Sequence, residues 1–376
     1  MPKLKVAVVI PTQSNLKSSL QNLLKVYDYL VQKYGFEVTI FIDKRYDFSY
    51  KNFKVQKISG FDHKTILEKL FLFLGLQRDY YTDLMDKLKG YNVIETSNPE
   101  FYWFACQSYL AAKKYNSRLI LRTSQTVDGF YLFKFTKLIP ITIARKAYKY
   151  AKYLLFTNPK AAARCIKLGL TEKNSRKIIV IGHATDTNTF KPLYHKKDSE
   201  KTILLSVGGL YEIKGHHLII KALRKVIDKG FDSELWIVGD GYYKNELVNL
   251  AKNLDLEKNV KFLGSKGHNE LAEIYNKSSV FVLANYQEIT PAVNEALACG
   301  LPVVVMECGG REFVIPSKNY GLISKKLDID DMSQKIIQLI KNKKLSNKVA
   351  QNGRKRIINS FAIEKVAQKF YSAFTK

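Results

Sequence analysis

Short runs of consecutive apolar residues alternate with longer stretches whose apolar positions recur every three to four residues. KVAVVI at 5–10 reads as a buried strand. Residues 16–34 follow with Leu20, Leu23, Leu24, Tyr27, Leu30 and Val31 at helical spacing, and 36–42 is a second strand. This pattern predicts a β-α-β unit in a parallel sheet. Strands at 54–58, 91–94, 118–121, 154–157 and 178–181 extend it, with an aromatic-rich helix over 101–113. A polar joint, HATDTNTFKP at 183–192 with HKKDSEK from 195, then interrupts the pattern, which restarts. Strands at 202–207, 235–238, 260–263, 280–283 and 303–306 alternate with helices around 218–227, 244–252, 271–275 and 290–300. Helices over 332–340 and 363–374 close the chain, the last one amphipathic. The expected fold class is α/β, two β-α-β domains in series.

Composition narrows the picture only in part. At 376 residues, 46% hydrophobic and 25% charged, the chain is long enough for two domains with full cores. Cys106, Cys165, Cys299 and Cys308 show no metal-ligand spacing, which points to a reduced, cytoplasmic compartment. The apolar run near the amino terminus stops at Pro11 and reads as a strand, not a signal peptide. The outlier is charge, 61 basic against 34 acidic residues and a formal net +27. Such an excess favours anionic partners, unless the lysines simply form solvated faces. Residues 130–153 interleave aromatics with Lys134, Lys137, Arg145, Lys146, Lys149 and Lys152. They read either as a contact with an anionic membrane surface on its inner face, or as a helix packed on the sheet with a basic outer side. Residues 65–76 (TILEKLFLFLGL) read as a core helix or a lipid-facing one. Nucleic acid is disfavoured, because the lysines are dispersed and no recognition-helix signature occurs.

Candidate chemistry gathers in the second half, at turns that close parallel strands. These are Gly208-Gly209, Gly239-Asp240-Gly241, Gly264-Ser265-Lys266 and the loop from Asn285 to Thr290. Glycine turns admit close approach of a ligand, and Lys214 just past the first is placed to neutralise phosphate. In EITPAVNEALACG, 288–300, Thr290 is expected to cap a helix with its hydroxyl, Pro291 to take its first position and Gly300 to end it. The free amides and positive dipole end of that helix suit an anion, and Glu295 lies one turn in. In the first half, Arg122, Thr123 and Ser124 sit at the end of a strand, where ligands of open α/β sheets gather. Asp328-Ile-Asp330 precedes a helix and reads as an acidic first turn instead of a metal site.

SVGGLYEIKGHHLIIKAL (206–223), IVGDGYYKNEL (237–247), VKFLGS (260–265), EITPAVNEALACGLPVV (288–304) and GGREFV (309–314) occur in that order. Together they resemble the donor domain of retaining nucleotide-sugar glycosyltransferases of the GT-B architecture, family 4, group 1. HATDTNTFKP resembles that family's interdomain signature. The resemblance implies two Rossmann-like domains facing across a cleft. An acceptor-binding domain would span 1–190 and a donor-binding domain 191–358, with a final helix, 359–376, crossing back to the first. It implies transfer of a hexose from a nucleoside-diphosphate sugar such as a UDP or GDP sugar to a glycan or lipid-linked acceptor, with retention, no metal and no cofactor. Lys214 would bind the distal phosphate, Glu295 the ribose and Glu288 the donor sugar. The backbone of Thr290, Pro291, Ala292 and Val293 would face sugar and diphosphate.

Four departures from the family pattern stand out. Six residues separate the two acids where seven are usual, so Gln287 is an alternative to Glu288. Gly209 stands where an arginine is common. Residues 11–15 (PTQSN) replace a glycine-rich loop, and Arg122 with Thr123 replaces a histidine. The competing readings are a same-fold enzyme making a small glycoside or sugar phosphate, a non-catalytic GT-B module, and an anion- or nucleic-acid-binding protein.

Overall fold

The computed structural model describes residues 3–10, 16–46, 49–60, 80–123, 138–193 and 201–376. The expectations for 11–15, 65–76, Ser124 and the first part of 130–153 lie outside these residues. The described chain divides into two compact units, 1–182 with 363–376, and 183–362.

Unit 1 is built on strands β1 (Lys5–Val9), β2 (Glu37–Asp43), β3 (Lys54–Ile58), β4 (Val93–Ser97), β5 (Arg118–Thr123), β6 (Tyr153–Phe156) and β7 (Ile178–Val180). The sheet order is β3-β2-β1-β4-β5-β6-β7, and every pair is parallel. Helices α1 (Leu16–Tyr34), α2 (Leu84–Lys87), α3 (Trp103–Tyr115), α4 (Leu138–Tyr150) and α5 (Pro159–Lys167) connect them. The inner strands are almost wholly buried because both faces of the sheet are covered, whereas the edge strands β3 and β7 are partly exposed. Helix α4 buries Ala144, Ala147 and Tyr148 and turns Arg145, Lys146 and Lys149 to solvent. Its described part is therefore a helix packed on the sheet with a basic outer side.

Unit 2 repeats the plan with β8 (Thr202–Val207), β9 (Ser233–Val238), β10 (Val260–Phe262), β11 (Val280–Leu283), β12 (Val303–Met306) and β13 (Leu322–Ser324). Its order is β10-β9-β8-β11-β12-β13, again all parallel. The helices are α6 (His216–Asp228), α7 (Lys244–Asn253), α8 (His268–Lys277), α9 (Pro291–Ala298), α10 (Arg311–Val314), α11 (Ile329–Lys341) and α12 (Lys343–Ser360). The last helix, α13 (Ile363–Thr375), belongs to unit 1. There it buries Val366, Ala367, Phe370, Ala373 and Phe374, with Phe370 edge-on to Tyr27 of α1 at 5.8 Å. Lys369 donates to the carbonyls of Val180 and Ile181 at 3.1 and 3.0 Å.

In each sheet the chain works outward on one side and then crosses to the other. The order therefore reverses between β1 and β4 in unit 1, and between β8 and β11 in unit 2. Ligands of open parallel sheets bind outside the carboxyl ends of strands at such reversals.

Candidate functional site

In unit 2 the reversal brings together the turn after β8 and the loop after β11. The β8 turn is fixed by its neighbour. Gly208 N donates to Val238 O at 2.9 Å, Leu210 N to Asp240 O at 2.9 Å and Tyr243 N to Leu210 O at 3.0 Å. This zipper requires glycine: a Cβ on Gly239, at φ +141°, would lie 1.9 Å from Gly208 O, and one on Gly241 2.4 Å from Leu210 O. Gly239 N in turn donates to Gly264 O at 3.0 Å, which ties in the turn after β10.

Lys214 ends a short 3-10 turn, Glu212–Lys214, and Gly215 follows it in a left-handed conformation (φ +71°). A Cβ there would lie 2.1 Å from Ala284 O, and Tyr286 N donates to Ile213 O at 3.2 Å. The Lys214 turn thus packs directly on the end of β11. The ammonium is half-buried and pairs with no acid among the described residues. His216 lies beneath the turn, 2% exposed, its Nδ1 3.1 Å from Ser206 Oγ. Burial pushes its pKa down to about 4, so it is neutral at physiological pH.

Gly209, where the resemblance leads one to look for an arginine, is covered by Tyr211. A Cβ at 209 would stand 2.6 Å from that ring. The Tyr211 ring in turn meets Tyr242 at 5.4 Å, and both are exposed, by 42% and 74%.

Helix α9 begins at Thr290 with Pro291 at its first position, but the expected hydroxyl cap is not made. Thr290 Oγ1 is buried without a hydrogen-bond partner. The extended backbone at Thr290 starts the helix, and Pro291 supplies the helical φ, so a side-chain cap is not needed to set its beginning. Val293 N is used inside the turn, donating to Thr290 O at 3.1 Å. Residues 287–289 run alongside Gly309: Gly309 N donates to Gln287 O at 2.8 Å and Ile289 N to Gly309 O at 2.9 Å. Gln287 is exposed, Glu288 half-buried and Ile289 buried.

Glu295 is 6% exposed, and its Oε2 lies 3.1 Å from the hydroxyl of Tyr275 on α8. Tyr275 was not visible as a site residue in the sequence, where it reads as a core position of an amphipathic helix. Burial raises the Glu295 pKa to about 7, against a smaller lowering by the tyrosine hydrogen bond. Ser265 and Lys266 are exposed, and Lys266 pairs with Glu270 at 3.2 Å. Behind α9, Asn294 Nδ2 donates to His183 O at 3.1 Å. Asp186 closes the start of the unit by accepting from Asn188 N, Thr189 N and Thr189 Oγ1.

In unit 1, Arg122 is the last residue but one of β5, and its Nε donates to Glu95 Oε1 of β4 at 2.8 Å. Thr123 is buried beside it. A recess of about 680 Å³ lies at the opposite, amino edge of this sheet, among Tyr91, Tyr115, Arg118, Tyr150 and Lys152. Two helices end there, so its basic side chains complement their carboxyl-terminal dipoles. Asp328 caps α11 through Asp331 N at 2.8 Å, and Asp330 pairs with Lys225 at 2.7 Å. Among the described residues no group of three potential metal ligands converges.

The family model for glycosyl transferases group 1 matches residues 187–356. This stretch, which makes up most of unit 2, belongs to the family. An uncharacterized glycosyltransferase of Haemophilus influenzae is 31% identical over 185 residues, 49% of this chain and 52% of that one. For that relative the chain spans about half the length. The Escherichia coli UDP-Gal:alpha-D-GlcNAc-diphosphoundecaprenol alpha-1,3-galactosyltransferase is 30% identical over 267 residues, 65% of this chain and 66% of that one. Anabaena HepE, solved in complex with UDP and glucose, superposes with a TM-score of 0.78 at 15% identity, covering 98% of this chain and 99% of HepE. The α/β fold with two parallel sheets is that of GT-B glycosyltransferases.

Proposed function

We propose that this chain is a group 1 glycosyltransferase that moves a hexose from a nucleoside-diphosphate sugar to a glycan or lipid-linked acceptor with retention, and does so without a metal. The observation that carries the reading is the strand-order reversal of unit 2, where the Lys214 turn is packed on the end of β11 beside the start of α9. A lysine without an acid partner and a helix amino terminus are what a leaving diphosphate requires. Glu295 has one oxygen held by Tyr275, which leaves Oε1 to accept from a ribose hydroxyl.

The protein's part in the chemistry is positioning and charge stabilisation. The glycosidic bond to the diphosphate lengthens, and Lys214 with the Thr290 and Ala292 amides at the start of α9 takes up the charge growing on the phosphate oxygens. The acceptor hydroxyl arrives on the face from which the diphosphate leaves, and a phosphate oxygen takes its proton. Glu288 or Gln287 orients the sugar, and Arg122 is the candidate from unit 1. Gly208, Gly209, Gly239, Gly264, Ser265 and Lys266 line the strand ends on the nucleotide side. The names of the E. coli relative and of the HepE complex, with their UDP-linked galactose and their UDP and glucose, support a UDP sugar as donor.

The test is a panel of nucleoside diphosphates, scored by affinity, followed by hydrolysis of the matching nucleotide sugars in excess chelator. Tight binding of one diphosphate and slow, chelator-resistant hydrolysis of its sugar are expected. Binding of none, or strict dependence on an added divalent ion, overturns the reading.

A further inference from the structure

At the strand-order reversal of unit 1, a tyrosine, a carboxylate and a guanidinium form a chain across three elements. Tyr27 of α1, fully buried, donates its hydroxyl to Glu95 Oε2 at 2.7 Å. Glu95 of β4 is 1% exposed, and its other oxygen accepts from Arg122 Nε at 2.8 Å. The Arg122 side chain keeps 14% of its exposure, and its guanidinium also interacts with the Tyr27 hydroxyl. Ser97 is the register neighbour of Arg122 on β4 and so faces the same side of the sheet. It is 6% exposed, and its Oγ has no partner.

A buried pair of this kind adds little to stability, since apolar residues of similar volume do as well. Burial and the neighbouring carboxylate raise the Tyr27 pKa well above its ordinary value, so its proton stays in place. What the chain does provide is orientation. With Nε held by Glu95 and Tyr27 also beside the guanidinium, the group is fixed near the carboxyl end of β5, where its small exposed part can meet a substrate oxygen.

We propose that Tyr27 and Glu95 are positioning residues, which together hold the Arg122 guanidinium in place to meet the substrate. This rests on the glycosyltransferase reading above, with Arg122 as the residue that touches substrate. The proposal adds the two residues that act through it.

The test is a double-mutant cycle on the full chain, with the donor found in the nucleotide-sugar panel. Glu95→Gln and Tyr27→Phe should each lower kcat roughly 10–100-fold, as a misplaced catalytic group does. Affinity for the free nucleotide should stay unchanged. In an Arg122→Ala background, the same two substitutions should change kcat less than about threefold. Tyr27→Phe removes only a hydroxyl and keeps the test open should Glu95→Gln fold poorly. Equal losses in both backgrounds, or losses that only follow the fall in melting temperature, overturn the proposal. Full turnover by Arg122→Ala also overturns it while leaving the glycosyltransferase reading intact. A wild-type protein that turns over no nucleotide sugar defeats both.

Discussion

Tyr275 carries one hydroxyl proton and has two acceptors in reach, Glu295 Oε2 at 3.1 Å and Ala292 O at 3.2 Å. When Glu295 is protonated it donates to the tyrosine oxygen, and the tyrosine proton goes to Ala292. When Glu295 ionises, the tyrosine turns its proton to the carboxylate. The tyrosine–carboxyl hydrogen bond is kept in both states and only Ala292 O loses its tyrosine donor on ionisation, which lets an acid sit in a core position with a pKa of about 7. Two consequences can be measured. The folded pKa is above the ordinary 4.5, so the stabilising contribution is complete below about pH 4.5 and lost as pH rises through 7. Glu295→Gln has no such loss, and should be the more stable protein at pH 8 by on the order of 3 kcal/mol, with the gap closing near pH 5. Melting curves across pH decide this. Conversely, the free nucleoside diphosphate should bind wild type more weakly below pH 7, where the ribose meets a protonated acid, while binding to Glu295→Gln is weaker and less dependent on pH. Lys214→Ala should lower turnover by about 2–4 kcal/mol of transition-state stabilisation with an unchanged melting temperature, read by single-turnover kinetics. Wild-type rates in that variant would remove the lysine from the mechanism.

Among the elements, the glycine turns of unit 2 are rigid parts instead of loose ends. Gly239→Ala drives a methyl into Gly208 O from a backbone angle that L-residues avoid, and should cost several kcal/mol in denaturant unfolding together with nucleotide affinity. Asp328→Ala should cost only about 1 kcal/mol and leave turnover untouched, because among the described residues that carboxylate only caps α11. The strands of unit 2 other than β13, and most of its helices, were legible in the sequence because parallel strands buried on both faces leave unbroken apolar runs. Helix α12 was not. It is polar over most of its length, and Gly353 at its middle reads as a break. That glycine instead lets α12 press against α9, where a Cβ would lie 2.4 Å from Leu297 Cδ2. Helix α5 was also missed, although Asn158 caps it through Ala161 N at 2.9 Å and Pro159 opens it. The Tyr27–Glu95–Arg122 chain joins residues far apart in sequence, and nothing local announces such a contact.

For the whole molecule, the formal charge of +27 supplies a prediction of its own. The outer side of α4 and its neighbouring lysines should bind vesicles rich in anionic lipid, at about 1 kcal/mol per lysine near the surface. Sedimentation with such vesicles should show binding at low salt that is reversed at high salt. No binding at low salt would assign the lysines to solvent alone. Helix α13 has a consequence of another kind. Unit 1 is closed by a segment that lies beyond all of unit 2, and it buries Val366, Phe370 and Phe374 against α1 and the sheet. Burying those side chains is worth roughly 5–9 kcal/mol, comparable with the whole stability of a domain. On the ribosome, residues 1–182 emerge first but lack that cover until about 180 further residues have been made. At usual elongation rates the wait is roughly 10–35 s. Throughout it the newborn first unit shows bare aromatic surface around Tyr34 and Phe36, where Tyr371 will later stack. That interval makes the nascent chain a natural client of holdase chaperones, although the finished protein hides every sign of the need.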